Sequence, residues 1–372
     1  MKRLIALDML RGYALVCIML DHMPIGVARG YTLANFSIFD AAELFVLLSG
    51  FLVGLVWKGV EGKSGRAAAQ RRFALRAFQV WRALLIGAVV LALLSALLLA
   101  FGFRHTAVWN AYAGWMLDNP LGYMGSVALM WMQPNLLDVL AVYVILIALV
   151  PLLVPVMLRW PWAFAAGSLV LWWFAPLFNS LIPNQRTGGL LFNPFGWQML
   201  FFSGVAMGLF RADFMPVLRR HSALLTTLAT GMFLFGSSIV IAAKFGEDAR
   251  PLRDALKVLY GEIDKWRLDG TRYLAIMAAS WLVAVPLARP LEVLAATGAG
   301  RALQTIGRGG LWSFVLCVLL SVLGDALQMN PPEQSRGAKL LVDVWSVLAL
   351  WWVSVWWLER GAPIKQRWLG RW

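Results

Sequence analysis

From residue 5 to residue 358 the chain is a succession of apolar runs, each closed by charges or by proline and glycine. Their length of about 20 residues is what a helix needs to cross a bilayer. Ten candidate spans can be read, at residues 5–24, 40–57, 80–102, 135–158, 162–179, 195–210, 222–243, 272–288, 309–325 and 339–358. The chain is 60% hydrophobic and only 14% charged, with mean hydropathy +0.71, which is too apolar for a soluble domain of 372 residues. Within lipid every backbone N–H and C=O must be paired inside the segment, so such runs are expected as helices. The expectation is an all-α polytopic membrane protein of about ten transmembrane helices, with residues 1–372 forming one transmembrane domain.

Residues 107–133, AVWNAYAGWMLDNPLGYMGSVALMWMQ, are apolar but broken by Asn119-Pro120, and are expected as an interfacial or re-entrant segment. The stretch KFGEDARPLRDALKVLYGEIDKWRLDGTR at 244–272 reads as a surface loop carrying a short amphipathic helix at 251–261. No internal repeat is visible, which argues against an inverted-repeat transporter.

The formal charge of +14 could suggest nucleic acid. Most Lys and Arg, however, sit in short stretches between apolar runs, the pattern of positive-inside topology, and no nucleic-acid partner is expected. The bias places both termini in the cytoplasm. The start, MKRLIAL, imitates a signal peptide, but Asp8 and Arg11 interrupt it and no small-residue cleavage site follows, so it is read as an uncleaved first helix. Cys17 and Cys317 lie far apart inside apolar runs and suggest neither disulfide nor metal. His105 and His221 stand alone at span ends, no two histidines have metal-ligand spacing, and no metal is expected. ATGAGRALQTIGRGG contains five glycines but not the dinucleotide fingerprint, and follows no strand.

The chemistry concentrates in the first run, LDMLRGYALVCIMLDHMP, which carries Asp8, Arg11, Asp21 and His22. At about 100° per residue, Asp8, Arg11 and His22 fall on one stripe roughly 80° wide. Asp8 and Arg11 are three apart and can pair. His22 lies about 16 Å further along at 1.5 Å per residue, near the outer end. Ionisable groups inside a span are by default candidates for a substrate path or proton chemistry.

The second run begins FDAAELFVLLSGFLVG and places Asp40 and Glu43 at the depth of His22, where a carboxylate could orient the imidazole. Asp21 is an alternative orienter. Ser49-Gly50 suits close helix packing better than nucleophilic catalysis. A His–carboxylate pair at the far end of a membrane helix suits deprotonation of a hydroxyl acceptor, with a donor arriving from the other side. RRFALRAFQVWR at 71–82 offers Arg72, Arg76 and Arg82 to a phosphorylated ligand, although topology alone also accounts for that cluster. In FNPFGWQMLFFSG, Asn193, Trp197 and Gln198 put hydrogen-bonding groups at the outer surface, where they suit sugar hydroxyls.

These residues resemble a known family. Arg11, ten residues, then His22 is similar to the signature of membrane acyltransferases of the acyltransferase-3 type. The first two runs together resemble the opening of OpgC proteins, which succinylate osmoregulated periplasmic glucans. The resemblance continues in order through QPNLLDVLAVYVILIALVPLLV, FNPFGWQMLFFSGVAMG, IDKWRLDGTRYLAIMAASWLV and TIGRGGLWSFVLCVLLSVLG, and so covers most of the chain. It implies an enzyme of the bacterial inner membrane that takes succinyl from succinyl-CoA, an acyl-CoA co-substrate, and delivers it to a periplasmic glucan. By the same resemblance His22 is the base, with Glu43 or Asp21 its orienter. Arg11 and Asp8 line the path of the thioester, Arg72 and Arg76 hold CoA phosphates, and Asn193, Trp197 and Gln198 face the acceptor. Arg29 and Arg186 are candidate partners for the free carboxylate of a succinyl group. Acetylation of another glycan is the nearest alternative, and a proton-coupled permease using Asp8, Arg11 and His22 as a relay is the alternative from a different class.

Overall fold

The computed structural model describes residues 5–104, 108–134, 136–183, 189–261, 263–331 and 333–360, and among them every regular element is helical. His105 and Arg186 lie outside the described residues. In chain order the helices are α1 (Ile5–Asp21), α2 (Ala41–Ser64), α3 (Arg66–Ala100), α4 (Val108–Asp118), α5 (Pro120–Ala128), α6 (Asp138–Arg159), α7 (Pro161–Trp173), α8 (Ala175–Ser180) and α9 (Pro194–Leu209). They continue with α10 (Arg211–Arg220), α11 (Ser222–Lys244), α12 (Arg250–Tyr260), α13 (Gly270–Ala284), α14 (Ala288–Ala296), α15 (Gly298–Gly309), α16 (Leu311–Met329) and α17 (Arg336–Arg360).

Six of these, α2, α3, α6, α11, α16 and α17, are long and apolar enough to cross a membrane alone. Two bent pairs, α9 with α10 at 92° and α13 with α14 at 71°, raise the number to eight. The other two expected spans are short: α1 has 17 described helical residues, and α7 stops after 13 because Pro176 interrupts the run and starts α8.

Local chemistry fixes several boundaries. Asp40 and Glu43 form a reciprocal capping box that starts α2, while Asn119-Pro120 and Asn193-Pro194 supply N-cap and first-turn proline to α5 and α9. The expected break in 107–133 therefore takes the form of two short helices, α4 and α5. The amphipathic helix expected at 251–261 is α12. The basic stretch before the third span is no loop: RAAAQRRFALRAFQVWR contains no glycine or proline, so α3 runs on unbroken for 35 residues. The segment between the spans expected at 272–288 and 309–325 folds into α14 and α15.

Glycines set the closest helix contacts. α2 and α9 run side by side through Gly50, Gly54, Gly204 and Gly208, where a Cβ on Gly50 would sit 2.1 Å from the Phe201 carbonyl oxygen. Gly12 on α1 and Gly307 on α15 allow the same approach: a Cβ on either would lie 1.9 Å from the other helix's backbone oxygen. The close-packing reading of Ser49-Gly50 thus matches the α2–α9 contact.

Candidate active site

The residue after α1 is His22. Its Nδ1 lies 2.6 Å from the carbonyl oxygen of Ile18, one turn back. A carbonyl oxygen can only accept, so Nδ1 carries the hydrogen, and Nε2 of the neutral ring is left with its lone pair. His22 is solvent-accessible, and no described residue hydrogen-bonds Nε2. The imidazole is therefore held in the tautomer a general base requires, with the basic nitrogen open.

The orienting group is the Ile18 carbonyl rather than the carboxylate expected from sequence. Glu43 is fully buried and engaged elsewhere: its Oε2 accepts from the Asp40 N–H at 3.1 Å and its Oε1 from Arg272 Nε at 2.6 Å. The other carboxylate candidate, Asp21, accepts a short hydrogen bond from the Thr32 hydroxyl, which pins the loop after α1 back onto its C-terminus. Asp40 pairs with Lys265 Nζ at 2.6 Å and lies 3.5 Å from an Arg272 nitrogen. Burial alone would lower the pKa of Lys265, but the Asp40 and Glu43 carboxylates outweigh it and hold it above the ordinary lysine value.

Lys265 and Arg272 belong to a loop and helix start built by one residue. Asp269 caps α13 by accepting from Arg272 N at 3.0 Å, and its other oxygen accepts from Asp264 N at 2.7 Å. The backbone oxygen of Trp266 then accepts from Asn193 N at 2.9 Å and from Trp197 Nε1 at 3.0 Å, docking this loop on the start of α9. Lys265 lies 5.7 Å and 5.6 Å from the ring centroids of Phe192 and Trp266.

Asn193, Trp197 and Gln198 are all buried, which corrects the expectation that they face an acceptor. The Asn193 side chain accepts from Phe195 and Gly196 and donates to the Ala175 oxygen at 2.8 Å. Gln198 donates to Ser168 O and Phe195 O and accepts from the Ser168 hydroxyl at 2.7 Å. Their polar atoms hold α7, α8, α9 and the 263–269 loop together.

Deeper along α1, Arg11 is half-buried, and its Nε is buried with no hydrogen-bond partner among the described residues. Tyr143 on α6, Asp8 and Arg76 on α3 are the ionisable groups within electrostatic reach. Arg72 is exposed one turn before Arg76 on the same face of α3, whereas Arg82 lies on another face. Of the Asp8–Arg11–His22 stripe, Arg11 thus lies within electrostatic reach of Arg76 on α3.

A second polar cluster holds the loop beyond His22. Asp343 on α17 accepts from Ala28 N at 2.7 Å and from Gln328 Nε2 at 2.7 Å. Sequence reading missed Asp343, Lys265 and Arg272. A signal did exist for Arg272, which opens the apolar run at 272–288 as Glu43 stands at the start of the run at 40–57; two opposite charges at the starts of membrane spans call for each other.

An all-helical bundle with six to eight candidate spanning helices, and an exposed histidine of fixed tautomer within electrostatic reach of Lys265, Asp40 and Arg29, together describe a helical membrane protein. The family model described as OpgC protein matches residues 3–361, nearly the whole sequence, and the chain belongs to that family. Membership implies a glucan-modifying acyltransferase. No curated protein and no solved structure matches the chain.

Proposed function

We propose that the chain is a transmembrane O-acyltransferase of the bacterial inner membrane, with ten spans and both termini in the cytoplasm, that moves succinyl from cytoplasmic succinyl-CoA to hydroxyls of a periplasmic glucan. The observation that carries this reading is the fixed tautomer of His22. Nε2 takes the proton of a glucosyl hydroxyl as its oxygen attacks the thioester carbonyl. The carbon–sulfur bond then breaks, and the CoA thiolate leaves with the proton held by His22. The new bond is an ester between succinyl and the sugar oxygen.

The thioester approaches along the Asp8–Arg11 stripe of α1, with Arg72 and Arg76 holding CoA phosphates. A ~16 Å separation between Arg11 and His22 along the helix is within reach of an extended pantetheine arm. The Asp40–Lys265 and Glu43–Arg272 pairs position the walls around His22. Trp266, 44% exposed beside Lys265, offers a flat apolar face on which a sugar ring can rest.

Arg29 supports succinyl over acetyl as the donor. It is within electrostatic reach of both Asp21 and His22, and among the described residues its guanidinium hydrogen-bonds a neutral group, the Pro24 oxygen at 3.1 Å. Its backbone is anchored, since the Arg29 carbonyl accepts from Thr32 and Asn35 side chains at 2.9 Å and 2.7 Å. Lys265 and Arg272 are already neutralised by carboxylates, which makes Arg29 the candidate among the described residues to meet a donor carboxylate.

The test is transfer of label from acyl-radiolabelled succinyl-CoA to a periplasmic glucan extract, in membranes holding equal amounts of the native chain or His22→Gln, with acetyl-CoA in parallel. Native transfer of succinyl that is lost in the variant supports the reading. Equal transfer by both chains removes His22 from the chemistry, and transfer of acetyl alone replaces the donor.

A further inference from the structure

An apolar cavity away from His22 plays no part in this mechanism. It has a volume of about 930 Å³ and lies between α1, α2, α13 and the short helices α10, α14 and α15. None of Asp8, Arg11 and His22 lines it. On α1 it is bounded by Leu7, Leu10 and Tyr13, a face turned by about 120° from the Asp8–Arg11–His22 stripe at 100° per residue. Its polar lining residues are Tyr13, Arg211, Ser280, Glu292, Arg301 and Gln304, and the remaining walls are aliphatic or aromatic.

The charges are placed by the two helix bends. Arg211 opens α10 directly after the 92° bend that ends α9, and Glu292 lies on α14 after the 71° bend that ends α13. The start of α9 docks on the 263–269 loop, and the start of α13 pairs with the start of α2 through Arg272 and Glu43, so Arg211 and Glu292, which follow the far ends of these two helices, stand about a helix length from that cluster. Leu33, Phe39 and Leu44, which belong to the cluster end, close the cavity there with apolar groups.

Two guanidiniums against one carboxylate leave the polar part of the lining net positive. Arg211 is exposed and has no hydrogen bond or ion pair among the described residues, while Arg301 donates one bond to the Ala296 oxygen at 2.7 Å and keeps its other donors. A pantetheine arm would have to desolvate its amides against walls that are mostly aliphatic or aromatic. Hydrocarbon chains have no polar groups to desolvate. A slot of this volume in a membrane protein, apolar along its walls and with Arg211 and Arg301 in its lining, matches an amphiphile with long apolar chains and one anionic phosphate.

We propose that the cavity is a lipid site that takes the acyl chains of one anionic phospholipid, with Arg211 and Arg301 holding its phosphate. The lipid braces the two bent pairs against α1 and α2, on the side of α1 opposed to the reaction. This proposal is independent of the acyl donor and of the acceptor.

The experiment uses the full chain, delipidated in mild detergent and supplied with phosphatidylglycerol or phosphatidylcholine at equal mole fraction, and reads bound lipid by native mass spectrometry and stability by thermal unfolding. Phosphatidylglycerol is expected to remain as a single adduct and to raise the midpoint more than phosphatidylcholine does. The pair Arg211→Gln and Arg301→Gln should weaken phosphatidylglycerol retention on the order of tenfold without altering phosphatidylcholine retention. Ala279→Phe, which fills the slot from α13, should abolish the adduct while the chain still unfolds cooperatively. Equal binding of the two lipids, insensitive to both arginines, overturns the proposal. One-for-one displacement of phosphatidylglycerol by succinyl-CoA also overturns it, and assigns the cavity to the donor.

Discussion

Glu43→Gln is the substitution that interrogates the architecture of the site most sharply. Gln at the third helical position can still accept from the Asp40 N–H, so the capping box survives and only the charge is lost. Arg272, whose side chain is 10% exposed, is then left with Asp40 at 3.5 Å in place of a carboxylate at 2.6 Å from its Nε. Removing one partner of a buried pair costs about 3–5 kcal/mol. The surviving Asp40 contact places the expected loss at the lower end, about 3 kcal/mol. Arg272→Met strands Glu43 in the same way from the other side. The double variant leaves no unpaired charge, so its loss should fall short of the sum of the single losses by about 2 kcal/mol. The assay is an unfolding titration of the full chain in mixed micelles across the four-member cycle. Additivity within about 0.5 kcal/mol would refute the reasoning, because it would mean that the two groups do not depend on each other.

Other outcomes follow from particular contacts. Arg29→Gln should lower kcat/KM for succinyl-CoA by on the order of tenfold while leaving acetyl-CoA unchanged, with Arg29→Lys in between; an unchanged ratio in steady-state transfer rejects the carboxylate role. Gly204→Ala puts a Cβ 2.4 Å from the Leu47 oxygen and should destabilise by about 1–3 kcal/mol. By contrast Gly62→Ala, on the same α2 helix with no atom within 4 Å, should be neutral or stabilising by up to about 1 kcal/mol. Lys265 has a folded pKa raised above its unfolded value, so its contribution is fully present below about pH 10 and is lost as pH rises through the folded value. The stability gap between native chain and Lys265→Met should accordingly stay constant from pH 6 to about pH 9 and narrow only in strong alkali.

The helical class and most of the long helices were legible because twenty-residue apolar runs have few alternatives in lipid. The positions of α12 and of the Asn119-Pro120 break followed from amphipathic period and turn chemistry in the same way. What hydropathy could not convey was continuity and bending. α3 absorbs the basic stretch because nothing in it stops a helix, and α14 and α15 form in a segment whose Gly307 serves close contact with α1. At the site, His22 and its shared face with Asp8 and Arg11 were readable from periodicity. The partner of His22 was not, since the bond runs to a backbone oxygen that no side-chain pattern reveals. Asn193 and Gln198 misled because an amide near a helix start looks the same whether it caps the helix or meets a ligand.

The central claim is that His22 delivers an acyl group to an acceptor on the opposite side of the membrane from the donor. It is tested most directly in sealed vesicles of uniform orientation carrying the full chain, with radiolabelled succinyl-CoA supplied on the cytoplasmic face alone and glucan enclosed on the other. The account predicts labelled glucan in the lumen with the native chain and none with His22→Gln at equal protein level. Labelled glucan with His22→Gln, or labelling only when donor and glucan share one compartment, would contradict it.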